Sequence, residues 1–253
     1  MSTSFIEVRH LTVGWGEDAP LLEDTSLDIH RGEVFALLGV SGSGKTTLMR
    51  AIIGLEQPLA GTVTGEGAPS LHATRPNFGV MFQQGALFGS LTVAENVALP
   101  LERWTNLPRD AVRAIVRAKL RLVGLGAAEE KLPADLSGGM IKRAAIARAM
   151  ALEPAVLFLD EPSSGLDPIT SSELDQLIST LNRVLDLTVV LVTHELVSVY
   201  SIADRCALID PGARGIIAEG NPRDLQVSTD PRVHRFFNCV ADAAHEPQES
   251  RPR

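Results

Sequence analysis

The 253-residue chain has little of what would carry it into or across a membrane. No stretch approaches the roughly 18 consecutive apolar residues that span a bilayer. Its start, MSTSFIEVRH, lacks the basic segment and apolar run of a secretory signal, so the chain is expected to stay in the cytoplasm. The two cysteines, Cys206 and Cys239, lie far apart with no CxxC or Cys/His spacing. That argues against a disulfide framework or zinc site and for two reduced thiols. Basic charge is in deficit, with 23 Lys and Arg against 31 Asp and Glu for a net charge of −8. Such a balance speaks against a nucleic-acid partner, whose phosphates are bound at basic patches. There is no internal repeat and no heptad array, and only the final HEPQESRPR reads as a disordered tail.

What is there is an alternation of short β-rich runs and helical stretches, the rhythm of an α/β fold. Ile6 to Val13 and Leu27 to Ile29 read as early strands. Val34 to Leu38 is a continuous apolar run, as a strand covered on both faces requires. A helix is expected from Lys45 to a C-terminal cap at Gly54. Phe78 to Phe82, Val156 to Leu159 and Thr188 to Val192 read as further buried strands. Between about Phe88 and Met150 the periodicity turns helical, with Val112, Ile115, Val116, Leu120 and Val123 on one face. A second helix starts at Ser137 with Ile141, Ala144, Ala145 and Ala149 as its small apolar face. Core, helical insert and core again exclude a simple doubly wound domain.

The chemistry begins at GVSGSGKTT, Gly39, Val40, Ser41, Gly42, Ser43, Gly44, Lys45, Thr46 and Thr47, which fits G-x-x-x-x-G-K-[ST] between a predicted strand and a predicted helix. Its glycines let backbone N–H groups close around phosphate oxygens, and the helix N-terminus adds a positive end. Lys45 is placed to reach the β- and γ-phosphates of a nucleotide, and the Thr46 hydroxyl to ligate Mg²⁺, which by itself does not choose among kinases, GTPases and motor ATPases. Downstream, AVLFLDEP ends an apolar strand on Asp160, suited to hold the Mg²⁺ shell. Glu161 is the natural base for a water in line with the γ-phosphate.

LSGGM, Leu136 to Met140, puts Ser137 23 residues before Asp160. With this motif the sequence resembles the ABC ATPase family, in the ordered set of P-loop, Gln83, LSGG, Asp160–Glu161, SSGLD and VTHE from about Ile6 to Leu225. The resemblance implies an α/β P-loop NTPase core with an N-terminal antiparallel β portion and an inserted helical subdomain at about 88–150. Residues 1–229 would then form one domain, and 230–253 a short helix and tail. It further implies a head-to-tail dimer with a second copy, in which each ATP meets one P-loop and the other chain's Ser137, Gly138 and Gly139. Asp167 would lie at the subunit junction, and His194 would bond the γ-phosphate or the attacking water. Gln83 would leave its strand to reach the metal, with Gln84 as the fallback. Trp15 occupies the place of an aromatic that stacks on adenine, or is simply a strand-end Trp.

Leu87, Phe88, Leu91 and Val93 stand where the family presents a groove to a permease, although they could equally be the insert's own core. LSGGM followed by Lys142 and Arg143 resembles the Mla (MCE-associated) lipid-transport ATPases, as do FQQGALFGSLTVAENVALPL, DEPSSGLDPIT and DPRVHRFF. What that implies is an integral-membrane permease partner, an MCE lipid-binding protein and a small STAS-domain protein, on the cytoplasmic face of the inner membrane. Other import or export, or a soluble ABC ATPase, are the rival readings. Near the end, Asp230 and Pro231 form a helix start, and Val233, Phe236, Phe237 and Val240 make one apolar stripe. That stripe is expected to dock on its own domain or on a partner.

Overall fold

The computed structural model describes residues 4–14, 20–69 and 75–243, with side chains described to 238. Strand β1 (Ser4–Gly14) pairs antiparallel with β2 (Pro20–His30). There follow β3 (Val34–Leu38), α1 (Lys45–Ile52), β4 (Ala60–Thr64) and β5 (Phe78–Met81). β1 also pairs with β4, so the first sheet has three strands in the order β2-β1-β4. The second strand is much longer than the predicted Leu27 to Ile29. Its outer half, PLLEDT, exposes Glu23 and Asp24 and buries Leu22 and Thr25, and what orders it is pairing with β1, which no local pattern announces. The register shifts between Val8 and Leu11, where His10 and the facing Asp24 both take left-handed backbone, φ 52° and 47°. This irregularity moves the buried set from Ile6 and Val8 to Leu11 and Val13, keeping one face apolar.

The helical insert comprises α2 (Val93–Trp104), α3 (Arg109–Leu122) and α4 (Gly138–Ala149). α2 starts with a capping box between Thr92 and Glu95, and it runs through Pro100. α4 begins at its cap Ser137, as its sequence predicts. The core resumes with β6 (Val156–Asp160), α5 (Pro168–Leu185), β7 (Thr188–Thr193), α6 (Leu196–Ile202), β8 (Arg205–Asp210) and β9 (Gly215–Gly220). The chain closes on α7 (Pro222–Gln226) and α8 (Pro231–Ala243).

The larger sheet has six strands in the order β5-β6-β7-β3-β8-β9, parallel except for β9. Period-two alternation sorts its buried strands onto two cores. Val34, Ala36, Leu38, Leu157, Leu159, Val189 and Leu191 face the helical insert and α5. Phe35, Leu37, Val156, Phe158, Val190 and Val192 face α1 and the antiparallel sheet. Arg205 ties the two sheets together by donating to the Asp28 carbonyl at 3.1 Å and to Glu33 at 2.9 Å, and by pairing with Glu219.

The register of the larger sheet decides what meets at its edge. Leu38 lies opposite Thr193, Asp160 opposite Val192, and Met81 opposite Leu159. The carboxyl ends of β3, β5, β6 and β7 therefore line up, the edge where open parallel sheets take their ligands.

α8 uses its stripe against its own domain. Asp230 accepts from Arg232 N–H at 2.8 Å, and Val233 and Phe237 are buried in the insert-side core. Phe236 is half-buried against the same core, and the Tyr200 and Phe237 ring centroids are 6.3 Å apart. The Val240 side chain lies outside the described residues. Replacing Phe237 by Ala is expected to lower the unfolding free energy by about 3–5 kcal/mol. Urea unfolding checks this, and a loss below about 1 kcal/mol would mean the helix contributes little to the core.

Candidate functional site

The phosphate loop links β3 to α1. A Cβ on Gly39 would stand 2.5 Å from Ser43 Oγ and 2.7 Å from the Ile209 carbonyl, so no side chain fits there. Gly44 caps α1 at φ 97°, a left-handed backbone that L side chains rarely adopt. Val40, Ser41 and Gly42 are exposed at the tip, whereas Ser43, Lys45 and Thr47 are buried. The helix start carries no side-chain cap bond and no acidic residue in its first turn, so no residue of the helix itself offsets its positive end. Ser43 Oγ is buried without a hydrogen-bond partner. Lys45 donates to the carbonyls of Gly39 at 2.8 Å and Val40 at 3.0 Å. Burial pulls its pKa down, and the charges of Glu161 and Asp160 push it back up. An orphaned hydroxyl, an open helix start and a desolvated cation suit a phosphate chain.

Thr46 Oγ1 donates to Asp160 Oδ1 at 2.9 Å, so two of the three residues predicted to hold a metal are already in contact. Burial raises the Asp160 pKa, the Thr46 bond opposes it, and the neighbouring Glu161 charge adds to the rise. Such an oxygen pair fits a hard cation that takes its remaining ligands from phosphate and water. Gln83, the third, is exposed in the turn after β5 together with Gln84. It is tied in through its main-chain carbonyl, which accepts from the Lys142 ammonium.

Glu161 follows β6 with φ 47°, a left-handed conformation that costs a non-glycine residue about 1–3 kcal/mol. Its surroundings hold it from every side. Its N–H donates to the Val192 carbonyl at 2.8 Å, and its own carbonyl accepts from Lys142 at 3.2 Å. Oε1 lies 2.8 Å from His194 Nδ1, and Thr193 Oγ1 donates to Oε2 at 3.4 Å. The Glu161 side chain is 10% accessible and that of His194 53%, so the pair runs from the interior to the surface. The two predicted catalytic residues are thus hydrogen-bonded to each other, beside Asp160.

Ser137, Gly138 and Gly139 lie elsewhere. Ser137 and Gly138 are exposed, and Ser137 Oγ accepts from Met140 N–H at 3.3 Å. A Cβ on Gly139 would stand 2.5 Å from Thr170 Cγ2, so the motif packs on the start of α5. Asp167 caps that helix, accepting from the N–H groups of Ile169 and Thr170, both at 3.1 Å, and from the Thr170 hydroxyl at 2.6 Å. The Thr170 bonds hold its pKa below the usual carboxylate range. Trp15 lies outside the described residues. Sequence reasoning missed Thr193, one position before the histidine it did single out. It also noted Lys142 only as part of a basic pair, when its helix position beside Gln83 and Glu161 depends on folding.

A cleft of about 820 Å³ lies away from the phosphate loop, between α2 and α3, lined by Glu95, Glu102, Arg109 and Arg113 among others. Phe88 lies near the start of α2 with 59% of its surface exposed. Its main chain is held by Asn96, whose Oδ1 accepts from Phe88 N–H at 2.8 Å. Val93 is fully buried and Leu87 is half-buried against the core, so of the predicted groove residues those two serve the insert itself.

Residues 22–164 match the family described as ABC transporter. Over 241 residues the chain is 41% identical to the "Probable ribonucleotide transport ATP-binding protein mkl" of Mycobacterium leprae, covering 92% of this chain and 68% of that protein. It is 42% identical over 229 residues to the "Intermembrane phospholipid transport system ATP-binding protein MlaF" of Escherichia coli, covering 88% of this chain and 84% of that protein. A dimeric ATP-binding cassette in a post-hydrolysis state, bound to ADP and Pi, matches with a TM-score of 0.75 and 29% identity. That match covers 85% of this chain and 98% of the other.

One carboxyl near the site has a pH signature of its own. Asp175 on α5 is 4% exposed, and its Oδ1 has no partner. Burial pushes its pKa up to about 6, the Ser198 hydroxyl opposes the shift, and the Glu195 charge adds to it. Because the folded value lies above the unfolded one, the native chain holds the extra proton, and this group's contribution to stability falls as pH rises from 4 through 6. Asp175→Asn is therefore expected to gain stability relative to wild type between pH 5 and pH 7.5. Urea unfolding at both values checks it, and a constant difference would count against the shift.

Proposed function

This chain belongs to the ABC transporter family, and from that premise we propose that it energises phospholipid transport between membranes as the ATP-hydrolysing subunit of a permease complex. The observation that carries the catalytic part is the Glu161–His194 contact of 2.8 Å beside the Thr46–Asp160 bond of 2.9 Å, on the edge where the phosphate loop ends. Lys45 would exchange its two main-chain carbonyls for phosphate oxygens, with Gly39 to Thr47 closing around the phosphate chain. Thr46, Asp160 and Gln83 would hold Mg²⁺, which when bound neutralises charge on the phosphate oxygens. Glu161 would accept a proton from a water whose oxygen attacks the γ-phosphorus, the bond to the β-phosphate oxygen breaking to leave ADP and phosphate. His194 would fix the orientation of the Glu161 carboxylate.

The reading as a head-to-tail dimer is supported by the exposure of Ser137, Gly138 and Asp167 and by the dimeric relative. Ser137, Gly138 and Gly139 would then act on the ATP of the second copy, through the N-terminal end of α4. No helix among the described residues is long and apolar enough to cross a membrane. The exposed Phe88, on a backbone held by Asn96, would face the permease on the cytoplasmic side of the inner membrane. An MCE lipid-binding protein and a small STAS-domain protein would complete the assembly. For the cargo, the Escherichia coli relative carries more weight than the mycobacterial one, because this chain covers 84% of the former and 68% of the latter. Nucleotide-related cargo, as the mycobacterial name states, is the second reading, and lipid content in the purified complex separates the two.

Glu161→Gln is expected to keep ATP binding while turnover falls by about 10²–10⁴-fold. ATP hydrolysis by the purified complex checks this, and wild-type turnover would overturn the assignment. Mixing Ser137→Arg subunits with Lys45→Ala subunits is expected to restore part of the activity that each lacks alone, since one interface then unites an intact P-loop with an intact signature. Complete inactivity in verified mixed dimers would count against the shared site.

A further inference from the structure

Lys142 is 6% exposed, yet both hydrogen bonds of its ammonium go to main-chain carbonyls, those of Gln83 and Glu161. A buried cation is costly to desolvate, so one that bridges two carbonyls does a job that an apolar residue in a helix would not. Burial lowers its pKa, and the nearby charges of Asp160, Glu161 and Glu195 oppose that shift.

The two carbonyls belong to different parts of the molecule. Gln83 sits in the turn after β5, and Glu161 follows β6 in its left-handed conformation. Lys142 itself is on α4, one turn after the exposed Ser137 and Gly138. Arg148 on the same helix donates to the carbonyls of Gly85 at 2.9 Å and Ala86 at 2.7 Å, so the turn from Gln83 to Ala86 is fastened to α4 at three points. Of these two cations, Lys142 is the one that also reaches the end of β6.

We propose that Lys142 is a positioning residue for ATP hydrolysis, its ammonium clamping the Gln83 and Glu161 carbonyls so that the metal-side glutamine, the base and the signature helix share one rigid frame. The inference rests on the role proposed above for Glu161. Lys142 touches no reacting atom. It holds the main chain of Glu161 in the φ that aims its carboxylate at His194, and it does so from the helix whose start would meet the second copy's ATP. A displacement of α4 is thereby carried to the base itself.

The test uses the full chain with MgATP, measuring kcat, KM and thermal unfolding for Lys142→Met, Lys142→Gln and Lys142→Arg. Lys142→Met fills the space but donates nothing, and kcat is expected to fall at least 30-fold with KM within threefold of wild type. Lys142→Gln keeps a shorter, neutral donor, so it stays informative if the Met variant does not fold, and its kcat should fall at least threefold with KM unchanged. Lys142→Arg can still donate to both carbonyls and should keep kcat within threefold. Wild-type kcat in a folded Gln or Met variant overturns the proposal. So does a KM that rises in step with the loss, or a folded Arg variant no better than Met. If hydrolysis by the wild-type chain is unaffected by Glu161→Gln, it is the reading of the site that fails; if it depends on Glu161 but not on Lys142, only the clamp fails.

Discussion

Parallel pairing of β3 with β7 and of β7 with β6 puts Leu38 beside Thr193 and Asp160 beside Val192, and the polar contacts between the strand ends descend from that register. A slip of one residue would turn each strand's two apolar sets to the wrong cores, so the register is held by burial on both faces. With the strands fixed, the loops at their carboxyl ends have no freedom to separate. Lys45, the Thr46–Asp160 pair and the Glu161–His194 pair come together because their strands end together.

Burial works against the charged form of Lys45, Lys142, Arg148 and Asp160 at this edge, and each is met by a polar neighbour. Lys45, Lys142 and Arg148 are all desolvated, and all donate to main-chain carbonyls. Asp160 is desolvated in turn and leans on the Thr46 hydroxyl. Unlike an ion pair, a cation on carbonyls keeps its charge available to an incoming anion, which suits a site built for phosphates. The cost is structural, because removing either partner leaves a buried polar group unmet.

The helical insert is joined to this edge through α4. Its apolar face is small, with Ala144, Ala145 and Ala147 all fully buried, so the helix lies close to its neighbours and its long cations can reach the Gln83 turn. The exposed Ser137 and Gly138 at its start and the exposed Phe88 beyond the turn lie at the two ends of that connection.

Much of this was legible in the residues. Strands β3, β6 and β7 announced themselves as unbroken apolar runs, because a strand covered on both faces needs no polar positions, whereas β8, buried from Cys206 to Ile209, was not among the strands expected. Gly54 and Ser137 marked a helix end and a helix start, since left-handed backbone and an orphan N–H each call for one residue type. Gly39 to Thr47 and Asp160–Glu161 could be read as phosphate chemistry from spacing alone. The outer half of β2 and the edge strand β9 could not, because half-exposed strands are stabilised by partners distant in sequence. Nor could the contact of Glu161 with His194, 33 residues on, or the reach of Lys142 to two carbonyls, 59 and 19 residues away. Residue types and local spacing determined which chemistry this chain carries. Only tertiary structure decided which of those groups touch, because contact across a sheet edge depends on register, and register is a property of the whole packed core.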